Sequence, residues 1–268
     1  MSGMRFPAVA GTFYPDEEKE LRTMIGEYLQ EAEKEMAKQG ALAIPGKLRA
    51  LVVPHAGYVY SGPVAAYGYA LLKKENQKKK FSNVLMIGPS HYAYFPGLAC
   101  SGAEGWETPL GRVRVKEPKA PGIVVSPEAH KPEHCLEVQV PFLQSVMDEK
   151  EFTITPLLAG DISPQEAAGI LKPLIAKDSL LLVSSDLSHY HPYERAKRID
   201  ENANRSVPHL DFSLVENFEA CGKIGILALM LIAREMKWKG KLLCYKNSGD
   251  TAGDRGKVVG YGCYAFYE

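Results

Sequence analysis

The first periodic segment of the chain is polar overall but carries apolar residues at helical spacing. Between Glu17 and Gln39, apolar side chains recur at positions 21, 24, 25, 28, 29, 32 and 36, which places them on one face of a helix. Pro15 suits the first turn, where its missing N–H is not needed. The pattern therefore predicts an amphipathic helix over 17–39.

From Leu48 onward, short apolar runs alternate with longer segments at helical spacing. Ser163-Pro164-Gln165-Glu166 has the order of a capping box, so a helix is predicted from there to about Ala176. Further helices are predicted over 64–73, 137–147, 193–207 and 224–236, and strands over 49–53, 83–87, 110–115, 152–158, 180–183, 242–245 and 257–267. Strands that alternate with helices predict an α/β sandwich, with one domain over 1–268.

Three of the predicted strands are apolar throughout and end in polar turns. Runs 51–53, 84–87 and 180–183 suit strands buried on both faces, and they lead into PHAG (54–57), GPSH (88–91) and SSDLSH (184–189). In such folds the ligand site lies beyond the carboxyl ends of the strands. If these strands are neighbours, His55, His91, Asp186 and His189 converge. Two histidines and a carboxylate with open positions are typical of non-haem iron sites.

Two further segments could contribute to the same site. Cys221 directly precedes a predicted apolar helix, where the helix dipole favours the thiolate and lowers the thiol pKa. A thiolate is both a metal ligand and a nucleophile. His134 and Glu137 are three residues apart and share a helix face if that helix begins early enough.

Each of these residues also has a purely structural interpretation. A lone histidine after a strand is commonly a hydrogen-bonded turn residue, Asp186 could cap the next turn, and Cys221 could be a small buried residue. His130 and His209 lie in polar surroundings and are expected at the surface. The turn-rich segment 247–257 is expected to be a surface loop rather than a pocket lid.

Composition and charge exclude several classes of partner. Lys plus Arg and Asp plus Glu number 32 each, so no net field favours nucleic acid or an anionic membrane. No apolar run reaches the length of a membrane span, and the start of the chain lacks the pattern of a signal peptide. Five cysteines without close pairing fit a reducing compartment. We therefore expect a cytoplasmic protein that binds neither nucleic acid nor membrane.

Eight stretches in order resemble the Memo family, whose prokaryotic branch is called AmmeMemoRadiSam system protein B. They run from about Arg5 to Phe266: PAVAGTFYP, VPHAGYVYSGPVAA, IGPSHY, ETPLG, HCLEVQVPFLQ, VSSDLSHY, CGKIGI and GDRGKVVGYG. The resemblance implies a fold like that of class III extradiol dioxygenases, with a mixed, largely parallel central sheet and helices on both faces. It also implies a functional link to radical SAM and AMMECR-type proteins.

The resemblance further implies a metal pocket. Its metal ligands would be His55, His91 and Cys221, with Asp186 and His189 in the same pocket and Phe13 in its wall. Fe(II) is the expected metal, with copper and zinc as alternatives. The dioxygenases bind Fe(II) through two histidines and a glutamate, whereas here either Cys221 or Asp186 would be the third ligand. A thiolate ligand can itself be oxidised.

The favoured function is that of a metal-dependent redox enzyme with a small-molecule or peptide substrate. In this interpretation His189 is the acid–base group, and His134 and Glu137 orient the ligands. The predicted catalytic residues are thus His189, Asp186, His134 and Glu137, and the predicted substrate-binding residues are Phe13, Tyr58 and Tyr92.

Two other classes of function remain open. A non-catalytic module could hold a peptide or small anion in a vestigial metal pocket, walled by Phe13, Tyr58, Tyr60 and Tyr92. A hydrolase could use zinc-bound water, or Cys221 as nucleophile with His189 as base.

Overall fold

The chain forms one sheet flanked by helices, and the computed structural model describes residues 3–38, 40, 43–78, 80–148 and 150–268. The strands are β1 (Met4–Arg5), β2 (Leu48–Val53), β3 (Asn83–Pro89), β4 (Leu98–Cys100), β5 (Gly105–Thr108), β6 (Gly111–Val115), β7 (Ile123–Val125), β8 (Thr153–Ala159), β9 (Ser179–Ser184), β10 (His189–His191), β11 (Lys239–Asn247) and β12 (Val258–Tyr267). The α-helices are α1 (Glu18–Lys38), α2 (Tyr58–Lys78), α3 (Pro127–His130), α4 (Val140–Val146), α5 (Pro164–Leu171), α6 (Tyr193–His209), α7 (Lys223–Glu235) and α8 (Ser248–Thr251). Short 3₁₀ helices cover Glu137–Gln139, Lys172–Leu174 and Phe212–Asn217.

Four neighbouring parallel strands form the centre of the sheet, in the order β8, β3, β9, β2. On one side β6 continues parallel to β8 and β4 pairs antiparallel to it. On the other side β12 runs antiparallel to β2 and carries β10 and β11 as antiparallel partners. The predicted fold class, a mixed sheet with a parallel centre, is confirmed.

Both faces of the central strands are covered, which explains their unbroken apolar sequences. Because successive side chains point to opposite faces, Leu51 and Val53 join one core while Ala50 and Val52 join the other. The first core includes residues of α1, α2 and α4, and the second includes residues of α5, α6 and α7. Helices therefore flank the sheet on both sides.

The predicted helices are present, with shifted ends. The helix predicted over 17–39 is α1, except that Gln39 lies outside the described residues. The capping box forms as expected, with the Ser163 hydroxyl accepting from the Glu166 amide. α5 ends at Leu171 rather than near Ala176 because Pro173 has no N–H to continue the helix.

α2 begins six residues earlier than predicted, at Tyr58. Pro63 lies inside it, yet the helix continues; the residue four positions before, Val59, is exposed to solvent. The strands and α-helices that the sequence patterns do not predict (β1, β4, β5, β7, β10, α3 and α8) have two to four residues each, too few to show a period. Within the described ranges, no helix is both long enough and apolar enough to cross a bilayer.

Candidate metal centre

The polar turns that follow β2, β3 and β9 meet at one edge of the sheet. Val53 is in register with Ser184, and Ile87 with Val183, so the three strands end side by side at this edge of the sheet. The ring centroids of His55 and His91 are 5.4 Å apart. A third imidazole joins them: the candidate ligand atoms of His55, His91 and His134 all lie within 4.8 Å of one another.

His55 is fixed from three sides. Its backbone N–H donates to Asp186 Oδ1 at 2.7 Å, its Nδ1 lies 3.0 Å from Ser184 Oγ, and its Nε2 lies 3.2 Å from Cys221 Sγ. Burial, and then the electrostatic effect of the neighbouring His91 imidazole, lower the pKa of His55 to about 3. The imidazole is therefore neutral near pH 7, which is the form that binds metals.

His91 is held by Glu133, a residue that sequence reasoning missed. The Glu133 carboxylate accepts from the backbone N–H of His91 at 2.7 Å and lies 2.9 Å from its Nδ1. Burial alone would raise the pKa of Glu133, but hydrogen bonds from His91 and from the Cys135 amide outweigh it and hold the pKa at about 2. A carboxylate only accepts, so His91 Nδ1 carries the proton and Nε2 is left for a metal.

His134 lies in the cluster itself rather than behind it. Its ring stacks on His91, with centroids 4.7 Å apart and an interplanar angle of 19°, and contacts the Phe13 ring at 4.8 Å. Burial, and then His55, lower its pKa to about 4. Its buried Nδ1 lies 3.3 Å from Glu133 Oε1 but makes no hydrogen bond among the described residues.

Glu137 does not share a face with His134, because the 3₁₀ helix begins only at Glu137 and His134 precedes it. The buried Glu137 carboxylate instead binds the amino-terminal segment. It pairs with Arg5 at 2.7 Å and accepts from the amides of Ala8 and Val9 and from the Tyr14 hydroxyl. These bonds anchor the segment that carries Phe13, and none of them goes to a candidate metal ligand, so a role for Glu137 in orienting the ligands stays a prediction.

Cys221 contacts His55 but is not in the compact three-histidine group. Its Sγ accepts from the Asp186 amide at 3.3 Å. The predicted lowering of its thiol pKa is wrong: burial, and then the nearby Asp186, raise it to about 12. α7 begins two residues after Cys221. The increase in the thiol pKa that burial causes is larger than any decrease that the helix dipole causes. Gly222 permits the close approach, since a Cβ there would lie 2.6 Å from the Ser184 carbonyl oxygen.

The cluster opens into a cavity of about 610 Å³ that also contains Asp186 and His189. Burial raises the pKa of Asp186 to about 6, against the lowering effect of hydrogen bonds from the His55 and Ala56 amides. Much of the wall is aromatic, with contributions from Phe13, Tyr60, Tyr190 and Tyr261. The cavity thus places two groups that can carry protons beside the three imidazoles.

The structure places several other predicted residues differently. Tyr58 is 2% exposed and donates to the Val138 carbonyl at 2.6 Å, so it belongs to the core and not to the cavity wall. Tyr92 is exposed outside the cavity, with its ring 6.1 Å from His134. His130 is buried rather than at the surface, with Nε2 2.9 Å from the Ala99 carbonyl. Its short helix α3 supplies the turn that lets it pack under β4.

The segment 247–257 is only in part the predicted surface loop, because residues 252–257 are exposed and lie outside any helix or strand, whereas residues 247–251 do not. It begins with α8, whose capping box joins Asn247 and Asp250. Ser248, Ala252, Asp254 and Lys257 line the cavity. The turn-forming residues predict turns here, but the position of the segment beside the cavity depends on the pairing of β11 with β12.

The fold and site together define an α/β protein with a candidate transition-metal centre at the carboxyl ends of its parallel strands. A sequence model of the family described as Memo-like protein matches residues 5–265. Similar proteins include a MEMO1 family protein of Metallosphaera sedula (34% identical, covering 96% of this chain and 97% of that protein). Another is from Thermoplasma volcanium (35% identical, 96% of each chain). The chain belongs to the Memo-like family.

Proposed function

We propose that this protein is a metal-dependent oxidoreductase whose cation binds at His55 and His91. The observation that carries the proposal is the group of three imidazoles within 4.8 Å, in a cavity shared with Asp186 and His189. Neutral imidazoles suit iron, copper and zinc alike. The choice of Fe(II) over copper or zinc rests on the resemblance to extradiol dioxygenases.

The third ligand would be His134, Cys221 or Asp186. His134 fits on distance, and its buried Nδ1 lacks a hydrogen bond among the described residues. Cys221 Sγ lies 3.2 Å from His55 Nε2 but falls outside the compact group of three imidazoles. The geometry favours His134.

The chain's own residues supply binding and proton handling. A bound Fe(II) or copper ion would supply one-electron and oxygen chemistry. Asp186, buried with a raised pKa, can hold or release a proton near neutral pH, and His189 can exchange protons with a substrate in the cavity. The Phe13 ring packs against the His134 ring and adds apolar surface on that side of the cluster. Tyr60 and Tyr190 offer apolar surface to a small-molecule or peptide substrate.

The first experiment is metal analysis of protein purified without oxygen. We expect about one iron per chain after loading with Fe(II), and loss of that iron in His55→Ala and His91→Ala. Exposed His209→Ala is the matched control and should keep the metal. Full metal retention in both cluster variants would contradict the proposal.

Cobalt substitution identifies the third ligand. Co(II) bound only by imidazoles lacks the sulfur-to-metal charge-transfer band that a thiolate ligand produces. We expect no such band in the unaltered protein, unchanged spectra in Cys221→Ala, and altered spectra in His134→Ala. A charge-transfer band that disappears in Cys221→Ala would assign the third position to sulfur.

A binding module is the second candidate, and the cavity wall favours it. Four aromatic side chains and the cation of Lys257 line the space beside the cluster, which suits a peptide or small anion without any catalysis. Absence of stoichiometric metal after Fe(II), copper and zinc loading would support this alternative over the oxidoreductase. The link to radical SAM and AMMECR-type proteins is a further proposal that rests on the resemblance.

A further inference from the structure

The Gln139 side-chain amide is oriented by an acceptor that cannot donate. Its Nε2 lies 3.0 Å from the carbonyl oxygen of Pro54 and 2.8 Å from Ser184 Oγ. A carbonyl accepts only, so the atom facing it is the amide nitrogen, and both of its protons are used. Gln139 Oε1 then accepts from the Tyr69 hydroxyl at 2.6 Å. The amide is buried and fully bonded.

This orientation fixes the single proton of Ser184. A hydroxyl has one proton and two lone pairs. Ser184 Oγ donates its proton to the Cys135 carbonyl at 2.6 Å and accepts from Gln139 Nε2. The one remaining lone pair faces His55 Nδ1 at 3.0 Å. The nitrogen opposite a lone pair must carry a proton, so Nδ1 of His55 is protonated.

We infer that Gln139 and Ser184 are positioning residues that hold His55 as the Nδ1–H tautomer and so direct the Nε2 lone pair toward the cation site. The use of that lone pair for a metal rests on the proposed function, but the tautomer is a property of the chain itself. The opposite tautomer would set two lone pairs against each other in a site where Ser184 is fully buried.

The tautomer can be measured in metal-free protein at neutral pH. Long-range proton–nitrogen NMR correlation on histidine-labelled protein distinguishes a protonated from an unprotonated ring nitrogen. The signals that vanish in His55→Asn identify His55. We expect a protonated Nδ1 and an unprotonated Nε2 for this residue. A proton found on Nε2 in the unaltered protein overturns the inference by itself, without any variant.

Ser184→Ala then tests the cause. Loss of the hydroxyl should shift His55 toward a mixture of tautomers and weaken Co(II) binding roughly 10- to 100-fold, the usual cost of losing a hydrogen-bond partner behind a metal-bound histidine. Ser188→Ala is the matched control: Ser188 is equally buried and lies four residues further along, outside the hydrogen bonds that join Gln139, Ser184 and His55. It should leave both readouts unchanged.

The outcomes separate this inference from the proposed function. An unchanged His55 tautomer in folded Ser184→Ala overturns the positioning role even if metal binds. The expected tautomer and its shift in Ser184→Ala, with no cation bound by the unaltered protein, support the inference and contradict the metal function. Ser184→Thr keeps the hydroxyl and should restore the tautomer.

Discussion

His55 and His91 face the same site but are supported by opposite kinds of chemistry. Behind His55 is a neutral, buried network of Ser184 and Gln139. Behind His91 is the charged carboxylate of Glu133, which also accepts hydrogen bonds from the backbone amides of His134 and Cys135. Both supports engage Nδ1 rather than Nε2; Nε2 of His55 lies 3.2 Å from Cys221 Sγ. The neutral network costs no buried charge but needs every partner in place, whereas the carboxylate adds a fixed negative charge that strengthens its imidazole as a ligand.

Removing the charge behind His91 should have the largest effect. In Glu133→Gln an amide NH₂ faces a backbone N–H or a ring N–H, so a set of charge-assisted bonds is lost. We expect the unfolding free energy to fall by about 3 kcal/mol, the upper end for hydrogen bonds to a charged group, and Co(II) affinity to fall roughly 100-fold. Denaturant unfolding of the metal-free protein and Co(II) titration measure these. Exposed Glu128→Gln is the control, and a loss in Glu133→Gln of under about 1 kcal/mol would contradict the role assigned to the charge.

The two supports should also respond to different ranges of pH. Native His55 stays neutral to about pH 3, whereas the unfolded chain binds that proton below about 6.5. Its contribution to stability is complete above 6.5 and falls on acidification to about pH 3, by about 1.4 kcal/mol per pH unit. Glu133 has a native pKa of about 2 against a reference value of 4.5, so its contribution is lost only as the pH falls from 4.5 to 2.

Unfolding of metal-free variants at a series of pH values tests this difference. His55→Asn should flatten the stability curve between pH 6.5 and 4.5, while Glu133→Gln should change its slope only below 4.5. Asp186, whose pKa is raised to about 6, contributes a slope of opposite sign, but it is present in both variants. Curves for His55→Asn and the unaltered protein that stay parallel would show that His55 is not held neutral.

Breaking the neutral network at Gln139 should have a smaller effect. Gln139→Met keeps the volume but leaves the Pro54 carbonyl and the Tyr69 hydroxyl without partners, which should cost about 2 kcal/mol. Co(II) affinity should fall roughly 10-fold. Gln144→Met is the matched control, because Gln144 bonds to Thr108 and Gly111 instead. Equal Co(II) affinity in the two variants would show that Gln139 does not help to position His55.

The outermost member of the network should matter least. Tyr69→Phe removes one donor to Gln139 and should cost about 1 kcal/mol. Tyr58→Phe loses a similar buried bond, to Val138, outside the network. We expect similar stability losses from both in thermal or denaturant unfolding, with a change in the His55 nitrogen shifts only for Tyr69→Phe. If the His55 nitrogen shifts changed equally in both variants, the change would be a general response of the core and not a property of this network.

The fold was largely predictable because its central strands are long and apolar, and parallel strands bring their carboxyl ends together. That rule alone placed His55, His91, Asp186 and His189 at one edge of the sheet. Glu133 and His134 come from a turn with no period, so the sequence points to His134 only through its spacing from Glu137 and does not point to Glu133 at all. Cys221 shows another limit, since its pKa depends on burial that no sequence pattern reveals.

Glu137 could share a face with His134 only if the helix began as early as His134, whereas helical structure begins three residues later, at Glu137 itself. Tyr58 was misplaced for a related reason. α2 starts at Tyr58 itself, which turns the ring inward against Tyr14 and Phe142. Errors in the site thus arose where helix ends, rather than helix existence, decide which way a side chain points.

The ion pair and hydrogen bonds of Glu137 hold the amino-terminal segment against the cavity. They involve Arg5, Ala8, Val9 and Tyr14. A protease that trimmed the chain before Tyr14 would strip Phe13 from the wall and leave a buried carboxylate without its counter-charge. Loss of so short a peptide would therefore disable a pocket whose other walls lie more than forty positions further along the polymer.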